Sequence, residues 1–173
     1  METSILIAYA TRYGSTAEVA AAVGSRLREL GYEADVVPAR DVRSLTGYAA
    51  VLLAAPFYIG SLLKDAQSFL TGHRAGLERL PVALLTLGPV RATDDLVEAR
   101  RQIDRALGKF AWLEPVAAEM FVGKYDPSLL RFPDSLVAKA KPSPLYGVPA
   151  TDDRDWDAIR AWAEGLPALF GLQ

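Results

Sequence analysis

Several short runs in this chain are apolar at every position rather than at every second one: Ile5-Leu-Ile-Ala, Val51-Leu-Leu-Ala-Ala and Val82-Ala-Leu-Leu. A strand with one wet face alternates apolar and polar residues. A run that is apolar throughout belongs to a sheet covered on both faces, and such sheets are parallel with helices on either side. The stretches between the runs fit this. Residues 15–30 set Val19, Val23, Leu27 and Leu30 on one helical face, and Gly31 ends the helix. Residues 94–107 do the same with Leu96, Ala99, Ile103 and Ala106, and residues 153–170 with Trp156, Ile159, Trp162 and Leu166. Strands are expected over 4–10, 33–37, 49–55, 82–87 and 116–122, and a further helix over 62–71. Five buried strands with intervening helices predict an α/β protein with a doubly wound parallel sheet, forming a single domain over residues 1–173.

In such a sheet, ligands bind beyond the carboxyl ends of the strands. Three loops therefore converge: Thr11-Arg12-Tyr13-Gly14-Ser15-Thr16, the loop opening with Pro56-Phe57-Tyr58-Ile59-Gly60, and Leu87-Gly88-Pro89-Val90-Arg91. The first runs from a strand through hydroxyl-bearing residues into a helix. Free backbone N–H groups and the helix dipole make that junction an anion site. Thr11, Ser15 and Thr16 add neutral donors, and Gly14 allows close backbone approach. No Lys follows the Gly and no G-x-G-x-x-G is present, so neither a Walker loop nor a dinucleotide fingerprint is supported. The pattern suits a terminal phosphate monoester. A second reading stands beside it: Ser15-Thr-Ala-Glu18 is also a capping box, which alone explains a stable helix start.

Composition narrows the chemistry. The chain has no cysteine, which removes disulfides, thiol catalysis and thiolate metal sites. Net charge is −2, so no global field recruits nucleic acid. His73 is the only histidine, placed near a helix end away from the three loops, and is expected to be a surface residue. The acidic cluster Asp152, Asp153, Asp155 and Asp157 lies at a helix start, where capping explains it better than a metal does; Asp94 and Asp95 read the same way. The N-terminus lacks a basic region, and the uncharged stretch 44–63 is interrupted by Gly47, Pro56 and Gly60, so it reads as strand and loop, not as a membrane span. A cytoplasmic protein is expected.

Residues 123–150 break the strand–helix alternation. Loops of this length are uncommon in compact domains unless they are functional or disordered. Residues 126–141 are expected to be helical in part, with Leu129, Leu130, Phe132, Leu136 and Val137 apolar and Lys124, Arg131, Lys139 and Lys141 outnumbering Asp126 and Asp134. The segment reads either as a packing flap with a solvated basic face, or as a lid, a substrate rim or a membrane-surface contact.

Together these residues resemble the flavodoxin-like family that binds FMN. The first loop matches the family's phosphate loop at Thr11, Gly14, Ser15 and Thr16. The second lies where the family places the isoalloxazine ring, and the third where it holds the ring's other side. The resemblance implies the strand order 2-1-3-4-5 and FMN as the cofactor. Within the family the chain is most similar to the menaquinone-dependent protoporphyrinogen oxidase group, at Phe57-Tyr-Ile-Gly60, Phe121-Val-Gly-Lys-Tyr125 and Asp155-Trp-Asp157. This implies an FMN-dependent oxidoreductase passing electrons from a reduced organic substrate to a quinone or redox protein, with peripheral membrane contact or a homodimer as the arrangements to look for. A flavodoxin-type carrier and an NAD(P)H:quinone reductase are the alternatives; a receiver-like domain is disfavoured, since no acidic pair follows the first strand. A flavin carries its own redox chemistry, so no catalytic side chain is required. Tyr58 is the expected ring stacker, with closure of the core as its other reading, and Phe57 is the alternate. Gly60 is expected to present backbone to the ring, Arg91 to line the entrance or remain a solvated charge, and Lys124 and Tyr125 to rim the substrate side.

Overall fold

A computed structural model describes residues 4–58, 60–88 and 96–172, and the side chains of all of these but Tyr58 and Leu96. Five parallel strands form the sheet: β1 (Ser4–Tyr9), β2 (Glu33–Pro38), β3 (Ala50–Tyr58), β5 (Val82–Leu87) and β6 (Ala117–Phe121), in the order β2-β1-β3-β5-β6. This is the expected order. A two-residue strand, β4 (Ser61–Leu62), folds back antiparallel on the end of β3, pairing Phe57 with Leu62 and Tyr58 with Ser61.

Alternation survives inside the all-apolar runs, because successive side chains point to opposite faces. Ile5, Ile7, Leu52 and Leu85 face α1 (Ser15–Glu29) and α6 (Trp156–Leu169), where Val19, Val23, Leu27, Ile159 and Leu166 meet them. Leu6, Val51, Leu53 and Leu84 face the other way, onto Phe69 and Leu70 of α2 (Lys64–Gly72) and Leu77 of α3 (Arg74–Leu77). Full burial of a Leu or Ile contributes roughly 1.5–3 kcal/mol, so these two layers carry the stability of the fold. The fourth long helix, α4 (Leu96–Leu107), turns Ile103 inward.

Of the expected core positions whose side chains are described, which leaves out Leu96, two are exposed. Leu30 falls just past the last turn of α1 and is exposed. Trp156 opens α6 at the surface, where its ring stacks 4.6 Å beneath the Arg154 guanidinium. β3 runs past its expected end at residue 55, because β5 keeps pairing with it as far as Pro56–Leu87 and β4 then takes over. His73 is half-buried rather than a plain surface residue: its Nε2 lies 3.3 Å from the Val42 carbonyl and its ring packs on Phe69.

The segment after β6 is neither one helix nor a bare loop. It contains a two-stranded antiparallel ribbon, β7 (Lys124–Tyr125) with β8 (Thr151–Asp152), and a short helix, α5 (Asp134–Lys139). No described helix is long and apolar enough to cross a membrane.

Candidate functional site

The ends of β1, β3 and β5 and the segment 123–150 enclose one cavity of about 490 Å³. Arg12, Tyr13, Ser15 and Thr16 line it from the first loop, Pro56 and Phe57 from the second, and Leu87 and Gly88 from the third. Lys124, Tyr125, Leu129, Leu130, Val137 and Leu145 close it from the inserted segment. A cavity of this size, apolar in most of its lining with a few polar groups, suits an organic cofactor.

The start of α1 is built differently from a capping box. The residue preceding the helix is Gly14, in the left-handed region at φ 94°, and no side chain caps the first turn. Only glycine adopts that conformation without strain, and a Cβ there would meet nothing within 4 Å. Thr11 Oγ1 accepts from the Gly14 N–H at 2.9 Å, so Thr11 shapes the loop. Ser15 is already helical, and Glu18 turns away to Arg154, whose Nη1 lies 2.7 Å from its carboxylate. The capping-box reading is thereby corrected. Thr16 is wholly buried, lines the cavity, and its hydroxyl has no partner among the described residues. A buried hydroxyl left unpaired costs roughly 1–3 kcal/mol, a cost that a ligand accepting its hydrogen bond removes.

The second and third loops are less completely described. Phe57 and Pro56 reach the cavity, whereas Gly60 is an exposed turn residue at φ 74° outside its lining. Gly88 does line it, and its lack of a side chain is required from behind: a Cβ would sit 2.5 Å from Met120 Sδ. Its N–H donates to the Phe121 carbonyl at 2.9 Å. Ile59, Pro89, Val90 and Arg91, together with Asp94, Asp95 and the Tyr58 side chain, lie outside the described residues.

Two polar clamps, both unforeseen, fix the inserted segment to the first loop and helix. Asp134, which the sequence alone places only among the segment's acidic residues, is buried. Its carboxylate lies 2.7 Å from Arg12 Nε and accepts from the Tyr13 hydroxyl, which in turn accepts from the Arg131 N–H at 3.3 Å. The second clamp is Arg154, the single cation within the run of aspartates. Its buried guanidinium grips Asp152 with two bonds of 2.7 and 2.6 Å, and donates to Glu18 and to the Ser15 carbonyl at 3.2 Å. Those bonds hold the Asp152 carboxyl below its ordinary pKa. Asp155 caps α6 by accepting from the Ala158 N–H at 2.9 Å, as its position at the helix start implied. No group of three or more potential metal ligands occurs among the described residues.

Lys124 and Tyr125 sit on β7 at the cavity wall. Lys124 Nζ lies 3.9 Å from Glu18. Tyr125 is 6% exposed, and its hydroxyl, like that of Thr16, has no partner among the described residues. Burial raises its pKa above the ordinary tyrosine value, so the phenol keeps its proton.

This is the architecture of a flavodoxin-like domain, and the sequence agrees: a flavodoxin-domain family model matches residues 6–139. The chain belongs to that family, which implies FMN as its cofactor. Among solved structures it is similar to a cysteine-to-alanine mutant of flavodoxin from Pseudomonas aeruginosa, with 17% identity, TM-score 0.57, and 97% of this chain and 99% of that one covered. It also resembles the flavodoxin of Streptococcus pneumonia TIGR4, at 16% identity and TM-score 0.54, covering 95% and 98%. A third likeness, to rubredoxin oxygen:oxidoreductase from Desulfovibrio gigas, is 12% identical with TM-score 0.52, covering 96% of this chain and 36% of that one. No curated protein matches the chain. The residues present fit the cofactor: an uncapped helix start, a buried unpaired hydroxyl beside it, and an apolar cavity leading away.

Proposed function

We propose that the protein is an FMN-dependent oxidoreductase in which the inserted segment roofs the flavin and shapes a pocket for a reduced organic substrate. The observation that carries this is the cavity itself. Its wall is shared between the three cofactor loops and residues 123–145, so a flavin laid on the loops would meet a protein roof instead of open solvent. When bound, FMN supplies reversible acceptance and release of electrons. The chain holds the phosphate at the start of α1, offers Phe57 as an apolar wall, and excludes water with Leu129, Leu130 and Leu145. Protoporphyrinogen is the substrate suggested by the likeness at Phe57-Tyr-Ile-Gly60 and Phe121–Tyr125, and a quinone is the acceptor.

The outer side of the roof bears on the acceptor. Phe132 is 78% exposed, and Leu136 and Tyr146 of the same segment are exposed too and stand outside the cavity lining. Arg131, Lys139 and Lys141 flank them, and the one acidic residue between 127 and 150, Asp134, is buried against Arg12. An apolar surface ringed by cations matches an anionic bilayer, where quinones reside.

The test is anaerobic reduction of the purified yellow protein by protoporphyrinogen, followed by reoxidation with a short-chain menaquinone analogue. Rapid bleaching and recovery of the flavin band supports the oxidase. Bleaching by a reduced redox protein but not by the porphyrinogen supports a second reading, an electron carrier. That reading is favoured by the flavodoxin likenesses covering both chains almost whole. Sedimentation with phosphatidylglycerol vesicles tests the membrane surface; a stable homodimer that ignores vesicles would instead assign the Phe132 face to a second copy.

A further inference from the structure

We propose that Tyr125, contributed by the inserted segment and not by any of the three loops, is a ligand of the cofactor's phosphate monoester. The assignment rests on the FMN reading above. Thr16 and Tyr125 are the two buried side-chain polar groups without a partner among the described residues, and both line the same cavity. A buried donor with no protein partner marks a place where something else accepts the bond.

The clamp around Arg154 ties the ribbon that carries Tyr125 to the helix start. Tyr125 pairs with Thr151, and its neighbour Lys124 with Asp152, in the β7–β8 ribbon. Arg154 ties Asp152 to Glu18 and to the Ser15 carbonyl, and Lys124 approaches Glu18 from the same ribbon. The ribbon is therefore fastened to the first turn of α1, where the phosphate site lies. Burial keeps the phenol protonated, so it is a neutral donor like Thr16. A dianionic phosphate at a helix start accepts several such bonds without a lysine. In this arrangement the insertion is anchored through the cofactor as well as through its clamps.

The experiment is titration of the full chain and its Tyr125→Phe variant with FMN and with riboflavin, which lacks the phosphate. FMN should bind Tyr125→Phe about tenfold more weakly or worse, the scale of a hydrogen bond to a charged acceptor. Riboflavin affinity should change less than about twofold, and thermal stability without ligand should hold or rise, because an unpaired buried hydroxyl has been removed. Combining the change with Thr16→Val should give losses that do not add, as expected of two donors on one anion. Unchanged FMN affinity, or equal losses for both ligands, overturns the assignment while leaving the FMN reading standing. A wild-type chain that binds FMN and riboflavin equally overturns the phosphate site and this assignment together.

Discussion

Ile7, Leu52 and Leu85 in the sheet are wholly buried, whereas in the inserted segment Phe132 stands 78% exposed and the deepest residue of α5 is an aspartate. The sheet is held by apolar layers on both faces. The segment over 123–152 is held by the two clamps: Asp134 on Arg12 and Tyr13, and Arg154 on Asp152, Glu18 and the Ser15 carbonyl. Apolar layers are non-directional and stabilise cooperatively, while a few charged contacts fix a geometry and release it when one partner changes. The difference predicts a division: a rigid platform that presents the three loops, and a segment over the cavity that opens more easily than the sheet.

Substitutions in the two regions should behave differently. The largest effect is expected in the platform. Leu85→Ala empties a fully buried position between the sheet and α6, and should lower unfolding free energy by about 2–5 kcal/mol in equilibrium denaturation. A loss below that range would place the core elsewhere. In the roof, Asp134→Asn keeps an acceptor for Tyr13 but removes the ion pair with the partly exposed Arg12, so global stability should fall by only about 0.5–1 kcal/mol. Tryptic cleavage after Arg131 and Lys139 should nonetheless accelerate. Accelerated cleavage with no wider loss sharpens the comparison; a collapse of the whole transition breaks it.

The smallest effect is in pH dependence. The Arg154 bonds depress the Asp152 pKa, so the ribbon clamp is fully effective above the unfolded carboxyl value near 3.8 and is lost as pH falls through the lower folded value. Amide exchange at residues 124–125 and 151–152, referred to the sheet, should therefore rise selectively as the solution is taken below about pH 4. In Asp152→Asn the same amides should be less protected at neutral pH and should lose that selective acid response.

The platform was readable from the sequence because its determinants are local. Fully apolar runs, a 3.6-residue period and Gly31 are each visible within a short window, and the strand over 82–87 coincides with β5. The first loop was legible for the same reason, although its cap is Gly14 rather than Ser15. The roof was not. Tyr13 and Asp134 are 121 residues apart in sequence, and nothing near Asp134 distinguishes it from a solvated acid. Arg154 carried a faint signal as the one cation among the aspartates, and Tyr125 was placed on the rim without any sign that its hydroxyl is buried and unpaired.

The central claim is that the start of α1, with Thr16 beside it, is a phosphate site for FMN. Calorimetric titration of the full chain with FMN and riboflavin, alongside Thr16→Ala, tests it most directly. The account predicts much tighter binding of FMN than of riboflavin. It also predicts a loss of about 1–3 kcal/mol in FMN binding for Thr16→Ala, with a smaller loss of stability without ligand. Equal affinity for the two ligands, or a Thr16→Ala variant that is destabilised yet binds FMN as before, would contradict it.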